Sequence, residues 1–254
     1  MVRIALPACL VAPMLSACVP ATTESAERFV ATGELIALSG GDAGAANACF
    51  TCHGANGQGD GAFTPRLAGL DAGYLERQLA AYANGQRVHP QMNDIAERLD
   101  GAQQRRVSAY YAAMPPAPTR PAEQGRADIA ALYHNGDPDR GLVACAACHG
   151  PEGGGAGPAN PPLAGQPRGY LAAQLDHWRR SSRRSDPGAV MLRISQLLTP
   201  AESAGLAAYA SGLAGGPPSR VPPEAFPAAR RGDPRSGASA PPLHVPERAR
   251  AAAR

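Results

Sequence analysis

The chain has 254 residues, 44% of them hydrophobic and 5% aromatic, a length that fits either one large domain or two small ones. Its cationic side chains are all arginine: 24 arginines and no lysine stand against 21 acids, a net charge of +3. Residues 215–254 hold seven of those arginines and three acids, a net +4, so the remainder is close to neutral, which excludes nucleic acid as the expected partner.

The N-terminus carries Arg3 and then an apolar run from Ile4 to Leu15, too short to span a bilayer but of the length of an export-signal core. Residues 1–17 are therefore expected to be a targeting segment rather than a fold element. They lead into Leu15-Ser16-Ala17-Cys18, which resembles a bacterial lipoprotein box. Cys18 would then be the acylated first residue of the mature chain, and its acyl chains would hold the protein to a membrane surface. The alternative is an ordinary signal peptide cut after Ala21. Residues 18–40 read as a tether, with a short helix over Ser25 to Leu38.

Asp42 is a good N-cap and predicts a helix through Ala48 that delivers Cys49-Phe50-Thr51-Cys52-His53. Two cysteines separated by two residues and followed at once by histidine are the attachment signature of c-type haem. One helical turn lets both sulfurs bond the two vinyl-derived carbons on one haem edge, and the next residue brings its imidazole beneath the iron. The motif returns as Cys145-Ala146-Ala147-Cys148-His149. A structural zinc site needs its two cysteine pairs within about 15 to 20 residues of each other, whereas these begin 96 residues apart. The two remaining cysteines, Cys9 and Cys18, lie before the mature domains, so no pair is left for a disulfide there.

After a glycine-rich loop at 54–61, Asp71 reads as the N-cap of a helix over Tyr74 to Asn84. Leu75, Gln78, Leu79 and Tyr82 fall at helical spacing there, and Gly85 follows as the C′ residue. An irregular stretch carries Met92. Asp100 caps a last helix to Met114, with Val107, Tyr110 and Tyr111 turned toward the haem. The proline-rich run 115–122 is expected to be a semi-rigid linker between a first domain at 41–114 and a second at 123–214.

The second domain repeats the first. At an offset of 96, Cys49, Cys52, His53, Pro65, Leu67, Tyr74, Leu75, Gln78 and Leu79 meet Cys145, Cys148, His149, Pro161, Leu163, Tyr170, Leu171, Gln174 and Leu175. At an offset of 99, Met92, Ile95, Leu99 and Tyr110 meet Met191, Ile194, Leu198 and Tyr209, so three residues are inserted before the second methionine. Thr199-Pro200-Ala201-Glu202 is a capping box with proline at N1, opening a helix that Gly212 closes. Residues 215–254 are rich in proline, glycine, alanine and arginine without periodicity, and are expected to be disordered.

A haem iron with one proximal histidine has its other face free, and what fills it decides between electron transfer and small-ligand chemistry. Met92 and Met191 are the candidates because they recur at equivalent positions; core filling is the alternative use of a methionine. His89, His134 and His177 do not recur, and His89, three positions before Met92, is the competing ligand. Histidine and methionine together complete the coordination sphere and raise the potential relative to bis-histidine, which suits a one-electron carrier. Pro65 and Pro161, each before a Leu-Ala-Gly, stand where a carbonyl would accept the second ring N–H of the ligating histidine. The run Arg179-Arg180-Ser181-Ser182-Arg183-Arg184 reads either as a surface that steers an acidic partner or as a solvated helix end.

Both haem motifs, both Pro-x-Leu-Ala-Gly segments, the Tyr-Leu-x-x-Gln-Leu helices and the paired methionines resemble the di-haem cytochrome c4 family over roughly Gly41 to Leu213. The resemblance implies an all-α fold of two tandem class I cytochrome c domains, two covalently bound haem c groups, and electrons passing between haem edges that face across a shared interface. It further implies a periplasmic location, a quinol-side donor complex, and delivery toward a terminal oxidase. The alternative is the haem subunit of a dehydrogenase, for example a flavocytochrome sulfide dehydrogenase, with substrate chemistry left to a partner because the chain has no dinucleotide fingerprint. A di-haem peroxidase would need one open iron, against the methionine at both sites. The lipoprotein box and the arginine-rich tail depart from the soluble members.

Overall fold

Capping residues decide where several of the helices begin. The structure, a computed structural model, describes residues 32–116 and 126–215, all within one compact unit. The first half contains α1 (32–39), α2 (Cys49–His53), α3 (Ala72–Ala83), α4 (Pro90–Arg98) and α5 (Gly101–Ala113). The second contains α6 (Ala127–Asn135), α7 (Cys145–His149), α8 (Arg168–Arg179), α9 (Val190–Leu197) and α10 (Pro200–Ser211). Among the described residues there is no β-strand, only isolated bridges.

Asp71 accepts from the Tyr74 N–H and opens α3, and Gly85 follows its end at φ +73°, as the sequence indicated. Asp100 with Gln103, and Thr199 with Glu202, form reciprocal capping boxes at α5 and α10. Tertiary contacts complete the pattern: α3 packs on α5 and α4, while α8 packs on α10 and α9. The first core gathers Ile36, Leu70, Leu75, Leu99, Val107 and Tyr111, and the second Ile129, Tyr133, Leu142, Leu171, Leu198 and Leu206.

Three local expectations are corrected. The short helix expected within the tether is present over residues 32–39, but it belongs to the first core, where its Ile36 and Ala37 are buried. Its backbone approaches α5 so closely that a Cβ on Gly33 would strike the Arg106 carbonyl. The helix expected from Asp42 to Ala48 is two 3₁₀ turns, Gly41–Ala43 and Ala45–Asn47, because Gly44 at φ +85° breaks it. The stretch carrying Met92 is helical rather than irregular. Pro90 sits in its first turn, and the His89 ring accepts from the Met92 N–H at 3.3 Å. The three-residue insertion of the second half is absorbed between α8 and α9, where Ser181, Gly188 and Ala189 all have positive φ. The export signal, Cys18, most of the proline-rich linker and nearly all of the C-terminal tail lie outside the described residues. No described helix is long and apolar enough to cross a membrane.

Candidate haem sites

Each Cys-x-x-Cys-His motif folds as a single short helix, α2 or α7, stopped by a glycine at φ +80°. The chain then doubles back along a set of hydrogen bonds that is the same in both halves. Gly59 N–H donates to the His53 carbonyl at 2.8 Å and Gly155 N–H to the His149 carbonyl at 2.8 Å. The Gly57 carbonyl accepts from Leu67 and Ala68, and the Gly153 carbonyl from Leu163 and Ala164. Gly57 and Gly153 both have positive φ, and a Cβ on Gly57 would press into the Tyr111 ring, so only glycine fits this turn. The Gly69 and Gly165 N–H groups then hang the segment on the C-terminal ends of α5 and α10.

This return path brings a proline carbonyl under each histidine. His53 Nδ1 lies 2.9 Å from the Pro65 carbonyl and His149 Nδ1 lies 2.9 Å from that of Pro161. A carbonyl only accepts, so Nδ1 must carry the proton and Nε2 keeps its lone pair for a metal. Burial pushes both imidazoles below their ordinary pKa, opposed by the proline carbonyls, and the neutral, ligating form is favoured at pH 7. None of the four motif cysteines is paired in a disulfide, and burial pushes the thiols of Cys49 and Cys145 up to about 11. Among the described residues no group of three or more His, Cys, Asp or Glu side chains is arranged to hold a metal ion.

Met92 and Met191 sit at the start of α4 and α9, both half-buried. Their backbones are held by non-equivalent caps: the Met92 N–H by His89, and the Met191 N–H by Asp186 Oδ2 at 2.7 Å. His89, the competing ligand by sequence, thus has one ring nitrogen engaged as a cap.

The seam between the halves was not legible in the sequence. Arg87 and Arg183, related by the 96-residue offset, are only 4% and 3% exposed. Arg87 lies over the Tyr82 ring and donates to Gln78, Gln174 and the Tyr170 hydroxyl. Arg183 lies over the Trp178 ring and donates to Gln174, Gln78 and the Tyr74 hydroxyl. The backbone repeats the exchange, with Val88 N–H on the Ser182 carbonyl and Arg184 N–H on that of Gln86. The segment 179–184 is therefore not an open cationic surface. Arg183 is buried, Arg179 and Arg180 both pair with Asp176, and Arg184 is exposed.

No carboxylate is among the partners described for Arg87 or Arg183, and three buried donors where the halves meet, Arg66 Nε, Arg183 Nε and Trp178 Nε1, have no acceptor. Buried charges and donors require partners. The carboxylates of a haem would meet that need, so the residues present fit the group that the motifs call for.

The cytochrome c family model matches residues 39–134 and 127–213, once for each half. A thiosulfate dehydrogenase electron acceptor of Stutzerimonas stutzeri (strain A1501) is 41% identical over 191 residues, covering 73% of this chain and 88% of the relative. A cytochrome c4 of Thiocapsa roseopersicina is 33% identical, covering 68% of this chain and 91% of the relative. Among solved structures, reduced recombinant cytochrome c4 from Pseudomonas stutzeri superposes with a TM-score of 0.64 at 26% identity, over 72% of this chain and 98% of that one. Thiosulfate dehydrogenase (TsdBA) from Marichromatium purpuratum gives 0.63 at 43% identity over 71% of this chain, which covers only 39% of that one. The chain belongs to the cytochrome c family, whose members bind haem c covalently, and within it to the tandem, electron-transferring cytochrome c4 group.

Proposed function

We propose that the protein is a two-haem, one-electron carrier that accepts electrons from a dehydrogenase, with thiosulfate dehydrogenase the partner class. The observation that carries the reading is the doubled histidine–proline geometry, Nδ1 to carbonyl at 2.9 Å in both halves, each followed by a methionine-bearing helix. In this reading Cys49 and Cys52 tether one haem and Cys145 and Cys148 the other. His53 with Met92, and His149 with Met191, would hold the two irons, and Pro65 and Pro161 would orient the two histidines. Bound haem supplies one-electron iron chemistry. The chain would contribute a histidine nitrogen and a methionine sulfur to each iron, exclude small ligands, and favour the reduced state through the thioether sulfurs.

The dehydrogenase partner is supported by relatives at 41% and 37% identity that are named electron acceptors of thiosulfate dehydrogenase. A carrier working toward a terminal oxidase is the second reading, favoured by the relatives named cytochrome c4. Export and acylation at Cys18 are part of the proposal and rest on the sequence around Leu15 to Cys18. The test is to mix the oxidised, two-haem protein with thiosulfate dehydrogenase and thiosulfate. Rapid reduction of both haems that requires the enzyme supports the partner. Reduction no faster than that of an unrelated c-type cytochrome overturns it and leaves the oxidase-directed carrier.

A further inference from the structure

The two ligating histidines rest on peptide groups of different kinds. Pro65 is followed by Arg66, whose amide has an N–H, and that N–H donates to Gln166 Oε1 of the second half at 3.0 Å. Gln166 returns the contact through Nε2, which donates to the Arg66 carbonyl at 2.9 Å. The side-chain amide thus pairs with the backbone of Arg66 as a neighbouring strand would, and both residues are buried. The Arg66 guanidinium holds the same junction by donating to the carbonyls of Ala68 and Ala164. In the second half the residue after Pro161 is Pro162, which has no N–H. Leu70 stands at the repeat position of Gln166 and is buried in the first core, with no amide to offer. The reciprocal contact therefore cannot form.

We infer that Gln166 is a positioning residue for the other half's haem. Through the Pro65–Arg66 peptide it strengthens the hydrogen bond on His53 and lowers the potential of the first centre, while the second has no equivalent control. The physical basis is cooperative: a hydrogen bond accepted from a peptide N–H polarises the amide, so its carbonyl becomes a better acceptor. A better acceptor on Nδ1–H makes the imidazole a stronger donor, which favours the oxidised metal. The inference rests on the reading of His53 as an axial ligand.

The test is a redox titration of the full, two-haem Gln166→Leu protein, followed by NMR with the signals of the two haems resolved. The potential of the haem bound through Cys49 and Cys52 is expected to rise, and that of the haem bound through Cys145 and Cys148 to stay where it was. A role confined to packing in the second half predicts the opposite split. No shift at the first haem, a fall there, or a larger shift at the second overturns the inference. Should the variant not mature, the unaltered reduced protein decides: the His53 Nδ1–H proton is expected further downfield than that of His149, and equal or reversed positions overturn the relay. Spectroscopy and mass analysis of the same samples keep the two claims apart. Fewer than two covalent haems, or no histidine ligation at the first, defeats the ligand assignment, whereas two intact haems with unmoved potentials defeat the relay alone.

Discussion

The two halves hold their histidines in the same way and differ at particular places behind that contact. Both use a short Cys-x-x-Cys-His helix, a glycine turn and a proline carbonyl at 2.9 Å. Behind them, the first half has a peptide N–H clamped by Gln166 and the second has Pro162. Tyr133, fully buried and bonded to the Gly150 carbonyl, has Ala37 as its counterpart in the first half. The geometry at the two histidines is thus preserved, and variation lies in the shell around them, where it can set the two halves apart.

The largest effect comes from removing one tether entirely. Cys145→Ser with Cys148→Ser is expected to halve the covalent haem per chain, read by pyridine haemochrome absorbance and mass, and to leave the first site loaded. Loss of both haems would show that the halves do not mature independently. A smaller change is Met92→His, which should lower the potential of the first centre by on the order of 0.1 V, within the roughly 0.8 V that axial ligation spans. The matching Met191→His should act on the second centre alone.

At the seam the halves should behave alike. Arg87→Leu and Arg183→Leu each remove one of the two arginine donors on the Gln78 and Gln174 carbonyls, together with the donor to one tyrosine hydroxyl, Tyr170 for Arg87 and Tyr74 for Arg183. Each is expected to cost about 2–3 kcal/mol in urea unfolding of the holoprotein. Unequal costs would mean that the seam is symmetric in geometry but not in energy. Tyr133→Phe removes one buried hydrogen bond that the first half lacks, and should cost about 1 kcal/mol.

The subtlest difference is in pH dependence. The α10 box uses Glu202 where the α5 box uses Gln103. The Arg140 guanidinium, with the Thr199 N–H, holds the Glu202 carboxyl down to about 2. A carboxyl that titrates higher in the unfolded chain contributes its stability fully above its ordinary range, and that contribution disappears as pH falls toward 2. Glu202→Gln should therefore flatten the acid limb of a stability profile, and Gln103→Glu need not steepen it, since Gln103 has no arginine partner described.

What was readable in the sequence was local or repeated. The haem motifs, the caps at Asp71, Asp100 and Thr199, and the cytochrome fold follow from residues a few positions apart or from a pattern that occurs twice. The misreadings share a different cause. Arg183 looked like part of a surface charge run because its partners Tyr74 and Gln78 are more than 100 residues away. Residues 32–39 looked like a helical piece of tether because the core that buries Ile36 and Ala37 is assembled from residues distant in sequence, among them Leu99, Val107 and Tyr111. The N-cap role of His89, which engages Nδ1 alone, became visible only with α4 in place. Gln166 carried no sequence signal beyond its mismatch with Leu70, a mismatch that has meaning only once Arg66 is seen beside it.

The central claim is two haems per chain, each iron closed by histidine on one side and methionine on the other. The direct measurement is the covalent haem count of the mature protein taken together with carbon monoxide binding to its reduced form. Two haems, the long-wavelength band of iron–thioether ligation at both, and no carbon monoxide uptake are predicted; a single haem, or uptake by half of the iron, contradicts it.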